Sequence, residues 1–253
     1  MTRAMKLLEF PHSHYCEAAR WALDIKGVDY EREALLPGLH MPKVKRIAPK
    51  TCVPVLINGE TVIQGSREII DYSDANFSGP KLMPEDEGDI ARIKEIEEMA
   101  DKNIGIPLRA IIYNRLLDDR PAVQQCFMQN SNAVETVMFR ASYPILKRVI
   151  RKMYIPSQDY IVKAKEKFDV EITKLNTMLA GREFLVGDSL SRADIMVASL
   201  LSVGVLPDEH TSDWPEVTHP ELIAFRAQYM DRPTFAWVRH MYARYRRRGS
   251  GAM

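Results

Sequence analysis

The segment Phe10-Pro11-His12-Ser13-His14-Tyr15-Cys16 joins two different sequence patterns. Before it, the short apolar run 6–10 predicts a strand, which Pro11 ends because proline has no N–H to give to a sheet. After it, apolar and polar residues recur at helical spacing over 16–26, and Gly27 provides a helix stop. The segment therefore predicts a loop that closes a strand and opens a helix, where outward-pointing N–H groups favour an anion or a thiolate.

Ser13 and Cys16 have the spacing of a Cys-x-x-Cys redox pair, with serine in the first position. A hydroxyl at Ser13 can donate a hydrogen bond to a bound thiolate and lower its pKa, whereas a cysteine there forms a disulfide with it. Two simpler interpretations stay open. Ser13 can act only as a helix cap, and Cys16 can be a small buried apolar residue and not a resolving thiol.

Strand and helix signals alternate up to residue 77. The turn pair Asn58-Gly59 joins two short apolar runs, which is the strongest short-range signal for a hairpin. A turn-rich, proline-containing segment spans 37–49. From the residues alone, strands are predicted at 28–34, 53–57 and 61–63, and a helix at 66–77, in the order β-α-β followed by β-β-α.

Two further places in this part suit a ligand. If the Val53–Pro54 peptide bond is cis, the Val53 backbone turns its N–H and C=O outward, ready to pair with a peptide in strand-like fashion. In Gln64-Gly65-Ser66, between a strand and a helix, Ser66 can cap the helix. With its own N–H, Ser66 can also hold a carboxylate at the positive end of the helix.

After Gly79-Pro80 the strand signals cease and helical spacing takes over. We expect an all-helical domain over 88–248 after an α/β domain over 1–78, with residues 249–253 as a disordered tail. The basic run 239–248 predicts a solvated helix end. Helices are predicted at about 89–117 with a break at Pro107, at 122–153, at 158–179, from 191 onward, and finally from about 221.

Composition excludes several classes of protein. The 35 Lys and Arg residues nearly balance the 34 Asp and Glu residues, which gives no reason to expect nucleic acid or an anionic membrane as the main partner. No apolar run reaches the roughly 20 residues that a membrane span needs, so stable membrane insertion is not expected. Three widely spaced cysteines do not form a disulfide framework, and no His or Cys set has the spacing of a metal site. These features predict a cytoplasmic protein without a bound metal.

Taken together, Ser-x-x-Cys after a strand, Val-Pro about forty residues later and Gly-Ser at a helix start resemble the glutathione transferase superfamily. This resemblance covers about residues 5–77. The segment 184–195 is similar to the helical-domain signature of that superfamily, with Ser191 and Asp194 as a capping box. The resemblance implies a thioredoxin-like domain, β-α-β-α-β-β-α, followed by a helical bundle.

The resemblance also implies a role for single residues. Ser13 would be the serine-type catalytic residue that stabilises the glutathione thiolate. Val53, next to a cis Pro54, would pair with the cysteinyl backbone of glutathione, and Ser66 would bind its γ-glutamyl carboxylate. His40 resembles a histidine that approaches the glycyl end in theta-like members.

Two departures from the family pattern stand out. Gly65 occupies a position that is often acidic in the family, which removes an expected partner for the amino group of glutathione. Gln64 or a neighbouring subunit would then have to replace it. The first strand ends at Phe10, which has no hydroxyl, so the tyrosine used by other classes is absent.

The function implied is transfer of glutathione, as co-substrate, to a small and largely apolar electrophile by a homodimer in detoxification. Two alternatives stay open. One is a glutathione-dependent thiol-disulfide oxidoreductase that uses Cys16, and the other is a non-catalytic binding protein of the same fold, which Gly65 favours. In the helical domain, candidates to line an electrophile pocket, or simply to form its core, are Met99, Tyr113, Met128 and Tyr143.

Overall fold

The computed structural model describes residues 4–128 and 133–247, so the predicted tail at 249–253 lies outside the described residues. The first part of the chain follows the thioredoxin-like order β-α-β-α-β-β-α, which confirms the predicted fold class. Its elements are β1 (Lys6–Glu9), α1 (His14–Ile25), β2 (Glu31–Ala34), α2 (His40–Ile47), β3 (Val55–Asn58), β4 (Thr61–Gln64) and α3 (Ser66–Asn76).

The four strands form one mixed sheet in the order β2-β1-β3-β4. Strand β1 runs parallel to β2 and antiparallel to β3, and β3 pairs with β4 through a tight hairpin. Asn58 pairs with Thr61, so the turn residues are Gly59 and Glu60, one position later than predicted. Gly59 has a φ of 63°, a left-handed conformation that glycine adopts without strain.

Helices cover both faces of this sheet because its strands alternate their side chains. Leu7 and Leu56 pack on one face with α1 and α3, whereas Leu8 and Val55 pack on the other face with Val44 of α2. Helix α2 lies within the turn-rich segment 37–49, where the residues alone gave no helix and the family resemblance implied one.

The rest of the described chain is helical. Residues 101–105 form a π-helical turn between the helices Glu87–Ala100 and Ile106–Leu116, so the predicted break falls just before Pro107, which occupies the first turn of the second of these helices. The predicted single last helix is wrong, because Pro233 starts a new one. The helices are α4 (Glu87–Ala100), α5 (Ile106–Leu116), α6 (Arg120–Met128), α7 (Ala133–Tyr154), α8 (Gln158–Met178), α9 (Arg192–Val205), α10 (Pro220–Tyr229) and α11 (Pro233–Tyr245).

Helix α9 is the centre of the helical part and packs directly against α1. The predicted capping box at its start is present, with Asp194 accepting a 2.8 Å hydrogen bond from the Ser191 N–H. Trp21 of α1 is fully buried in the main core and meets the ring of Tyr242 of α11, their centroids 4.7 Å apart. Among the described residues, no helix combines the length and the apolar character needed to cross a membrane.

Buried charges connect α1 to both ends of the chain. Arg20 donates to Glu17 at 2.9 Å and pairs with Glu9 at the end of β1. Arg246, which the sequence analysis placed in a solvated helix end, is buried and donates from Nε to Glu17 Oε1 at 2.7 Å. Burial opposes ionisation of Glu17, but the charges of Arg246 and Arg20 outweigh it and hold the pKa of Glu17 well below its ordinary value.

Candidate functional site

A cavity of about 310 Å³ opens beside the start of α1, and both parts of the chain line it. Ser13, His40 and Val53 contribute from the thioredoxin-like part. The opposite wall is mostly apolar and aromatic, and comes from α5, α7, α10 and the segments near them. Its aromatic and large apolar residues include Ile112, Tyr113, Leu116, Phe127, Leu146, Ile150, Met153, Tyr154, Trp214, Leu222 and Phe225.

Ser13 is the N-cap of α1, which therefore begins at His14, two residues before the predicted start. Its Oγ accepts a long hydrogen bond of 3.4 Å from the Cys16 N–H, so Ser13 caps the helix. A hydroxyl accepts with its lone pairs and donates with its hydrogen. Capping therefore leaves the Ser13 hydroxyl able to donate toward the cavity that it lines.

Cys16 lies inside the protein and does not line the cavity. Its side chain is fully buried. Burial, followed by the negative charge of Glu9, raises the pKa of the Cys16 thiol to about 12. A reactive cysteine needs a lowered pKa and access to its partner. The surroundings of Cys16 therefore agree with a small buried apolar residue and oppose a redox role.

The Val53–Pro54 peptide bond is cis, as the hypothesis for this motif required. Val53 lines the cavity, and the side chain of Gln64 supports the segment before it. The Gln64 amide accepts from the Lys50 N–H at 3.0 Å and donates to the carbonyl oxygens of Lys50 and Cys52 at 2.9 and 2.7 Å. Gln64 thus positions the Val53 segment, and both of its N–H groups are engaged.

Gly65 is the N-cap of α3, and Ser66 is the first residue inside this helix. The expectation that Ser66 caps the helix is therefore wrong, although its N–H belongs to the helix start, where donors have no intrahelical partner. Gly65 has a φ of 116°, and a Cβ at this position would collide with Oε2 of Glu68. The Glu68 carboxylate thus occupies the space that an acidic side chain at residue 65 would enter.

His40 is the first residue of α2 and lines the cavity. Its ring meets Phe10 edge-on with 4.8 Å between centroids, and its Nδ1 accepts from the Gly38 N–H at 3.1 Å. The structure thus brings Ser13, His40 and Val53 to one cavity. Pro54, Gln64, Gly65 and Ser66 do not line it, and the Gly65 N–H donates to the Pro54 carbonyl at 3.0 Å.

Of the four pocket candidates in the helical part, Tyr113 lines the cavity. Met99 packs against the main core, and Tyr143 is buried with its hydroxyl donating to the Leu117 carbonyl at 2.8 Å. Met128 is also a core residue and does not line this cavity. Helical spacing alone did not separate pocket residues from core residues, because both recur on the inward face.

Arg109 also lines the cavity, from α5, and was not among the residues predicted from the sequence. Its guanidinium carbon lies 4.3 Å from the ring centroid of Tyr154 and 5.7 Å from that of Tyr15. The sequence does mark this residue, because Arg109 is the lone charge within the otherwise apolar run 104–112. His14, beside it, is buried, and burial followed by the charge of Arg109 lowers its pKa to about 3.

The comparisons with known proteins point to one family. A family model of the glutathione S-transferase N-terminal domain matches residues 7–81, and one of the glutathione S-transferase C-terminal domain matches 141–233. "Glutathione S-transferase 1" of Dianthus caryophyllus is 38% identical over 88 residues, which are 34% of this chain and 40% of that relative. "Glutathione S-transferase TCHQD" of Arabidopsis thaliana is 24% identical, over 92% of this chain and 89% of the relative.

Solved structures show a similar fold over nearly the whole chain. The beta-etherase LigF from Sphingobium sp. strain SYK-6 is 20% identical with a TM-score of 0.62, over 93% of this chain and 98% of that one. A glutathione S-transferase from Methylobacillus flagellatus, solved with glutathione bound, is 24% identical with a TM-score of 0.55 over the same shares. At these identities the likeness concerns the fold.

Proposed function

This chain belongs to the glutathione S-transferase superfamily, and from that premise we propose that it transfers glutathione to a small, largely apolar electrophile. One observation carries the proposal. Ser13, His40 and Val53 line the same cavity as an apolar and aromatic wall of the helical domain, so the cavity offers a polar end for a peptide thiol and an apolar end for its acceptor.

In this proposal the thiol of glutathione lies at the start of α1. The Ser13 hydroxyl donates to the sulfur, and the N–H groups of the first turn add partial positive charge. Both favour the thiolate and lower the thiol pKa, so the thiol proton leaves to solvent. The sulfur then forms a C–S bond with the electrophile, and the leaving group departs with the bonding electron pair.

The peptide part of glutathione lies along the segment after α2. We propose that the Val53 backbone pairs with the cysteinyl unit, next to Pro54, and that Ser66 at the start of α3 binds the γ-glutamyl carboxylate. The amino group then meets the carboxylate of Glu68, which fills the space beside Gly65. His40 faces the glycyl end.

The two alternatives receive less support. A thiol-disulfide reaction through Cys16 requires a thiolate at a site where burial raises the thiol pKa to about 12. The non-catalytic interpretation depended on Gly65 leaving the amino group without an acidic partner, and Glu68 offers one from the first turn of α3. On family grounds we further propose that the protein acts as a cytoplasmic homodimer in detoxification.

The proposal is tested by initial rates with glutathione and 1-chloro-2,4-dinitrobenzene. We expect Ser13→Ala to lower kcat/KM by about 100-fold, because one preorganised donor to the reacting sulfur is lost. The matched control is Ser157→Ala, which removes the serine cap of α8, away from the cavity. The control should keep the full rate. An unaltered rate in Ser13→Ala, or calorimetry that shows no glutathione binding to the unaltered protein, would refute the proposal.

A further inference from the structure

Arg109 is a cation in the cavity wall, and its guanidinium has an N–H donor without a partner in the described part of the protein. Its Nε is buried and has no hydrogen-bond partner. Within residues 4–128 and 133–247, it forms no ion pair, and its contacts to Tyr15 and Tyr154 are to ring faces. Buried polar groups are nearly always hydrogen-bonded, so an unsatisfied one calls for an explanation.

A second arginine of the same cavity shows the contrast. Arg226 donates from Nε to the Gly204 carbonyl at 3.1 Å and from Nη2 to the Val205 carbonyl at 3.4 Å. These carbonyls belong to the last turn of α9, where unpaired acceptors and the helix dipole favour a cation. Arg226 therefore completes a helix end, whereas Arg109 has no such role.

No carboxylate in the described lining of the cavity neutralises the charge of Arg109. That lining contains neither aspartate nor glutamate. Burial lowers the pKa of His14 to about 3, and it also lowers the pKa of His12 and of His40, so these rings do not compete for an anion at neutral pH. A positive charge held among apolar and aromatic groups is costly without a counter-charge.

We propose that Arg109 binds an anionic group on the second substrate, which is therefore an aromatic or apolar acid, most simply a carboxylate. A guanidinium offers two parallel N–H donors to a carboxylate. The Tyr15 and Tyr154 rings hold its plane, and the aromatic wall with Phe127 and Trp214 accommodates the apolar body of the acid. This inference rests on the proposed function, and in the conjugation step the carboxylate takes no part.

The test uses calorimetric binding of naphthalene-2-carboxylate and of naphthalene-2-carboxamide, which have the same shape and differ in charge. We expect the unaltered protein, saturated with glutathione, to bind the carboxylate at least about tenfold more tightly, which corresponds to about 1.4 kcal/mol. Arg109→Gln should abolish this preference, and Arg109→Lys should keep part of it. The control is Arg115→Gln, on the same helix but paired with Glu221 outside the cavity, which should behave like the unaltered protein.

Three results would overturn the inference. The first is that the unaltered protein binds the carboxylate and the carboxamide with equal affinity. The second is that Arg109→Gln still prefers the carboxylate. The third is that Arg109→Gln lowers the affinity for glutathione in a separate titration. The last result would assign Arg109 to the glutathione site. Because the preference is first measured on the unaltered protein and needs no turnover, it is independent of whether the protein conjugates glutathione. A variant that fails to fold does not remove the test.

Discussion

Helix α1 contacts charged residues of two kinds, which differ in whether an opposite charge of the protein lies beside them. Glu17, Arg20 and Arg246 are buried, and each faces an opposite charge within hydrogen-bonding distance. Arg109, on the side of the cavity, faces the rings of Tyr15 and Tyr154 and forms no ion pair within the described residues. In the first group the protein itself supplies the opposite charge, whereas at Arg109 the buried Nε has no described hydrogen-bond partner and we propose that a ligand supplies the charge.

The role of an internal charge depends on where its partners come from. A charge whose partners come from the same chain holds parts of the fold together, here β1, α1 and the end of α11. A charge that lines a cavity and lacks such partners indicates binding. The first group should therefore govern the free energy of unfolding, and the second should govern ligand affinity. Three changes separate these effects.

The largest effect is expected from Glu17→Gln. This change removes the carboxylate that both Arg20 and Arg246 contact and leaves their buried charges short of a partner. We expect the free energy of unfolding to fall by about 3–5 kcal/mol in urea titrations at neutral pH. Lys102→Gln is the control, because it breaks an exposed pair with Glu98 and should leave the unfolding curve unchanged. A loss below about 1 kcal/mol in Glu17→Gln would show that the network contributes little.

A smaller effect concerns the buried histidines His14 and His210, whose folded pKa values burial lowers to about 3 from 6.5. Each histidine is protonated below about pH 6.5 in the unfolded chain, but only below about pH 3 in the folded protein. Stability is therefore fully present above pH 6.5 and is lost as the pH falls toward 3. Each histidine contributes a slope of up to about 1.4 kcal/mol per pH unit.

His14→Asn should remove one of these two slopes and keep that of His210. The measurement is the free energy of unfolding from urea titrations at several pH values between 7.5 and about 5, where the slope of a depressed histidine is nearly complete. If the variant and the unaltered protein lose stability in parallel, His14 is not held neutral by its surroundings.

The smallest effect on stability is expected from Arg109→Gln. No described ion pair or hydrogen bond is broken, so the free energy of unfolding should change by less than about 1 kcal/mol, while the affinity for an aromatic carboxylate falls. The free energy of unfolding of Arg109→Gln is measured by the same urea titration that is used for Glu17→Gln. A loss as large as that of Glu17→Gln would mean that Arg109 belongs to the structural charges, and the comparison would fail.

Much of the fold could be predicted because local residues mark its boundaries. Pro11 and Gly27 delimit the first loop and helix, and the Asn58–Thr61 hairpin is found within one residue of its predicted turn. The capping box at Ser191 was also predicted. Two helix boundaries were predicted less accurately. Gly65 takes the cap position of α3 that was assigned to Ser66, and Pro233 divides the last predicted helix into two.

The charge network could not be predicted in this way. Glu17 and Arg246 are 229 positions apart, and nothing near either residue announces its partner. In the site, Ser13 and Val53 were found through motif spacing, and their roles stay predictions. Arg109 depends on how α5 is oriented toward α1, which periodicity does not determine, although a lone charge in an apolar run marks it as unusual.

The proposed transfer requires that Ser13 and the start of α1 stabilise a glutathione thiolate. It is tested most directly by an ultraviolet titration of the thiol of glutathione bound to the unaltered protein and to Ser13→Ala. We predict that the bound thiol has a pKa below that of free glutathione in the unaltered protein, and that the value returns toward the free one in the variant. Equal pKa values in both proteins would show that Ser13 does not stabilise the thiolate.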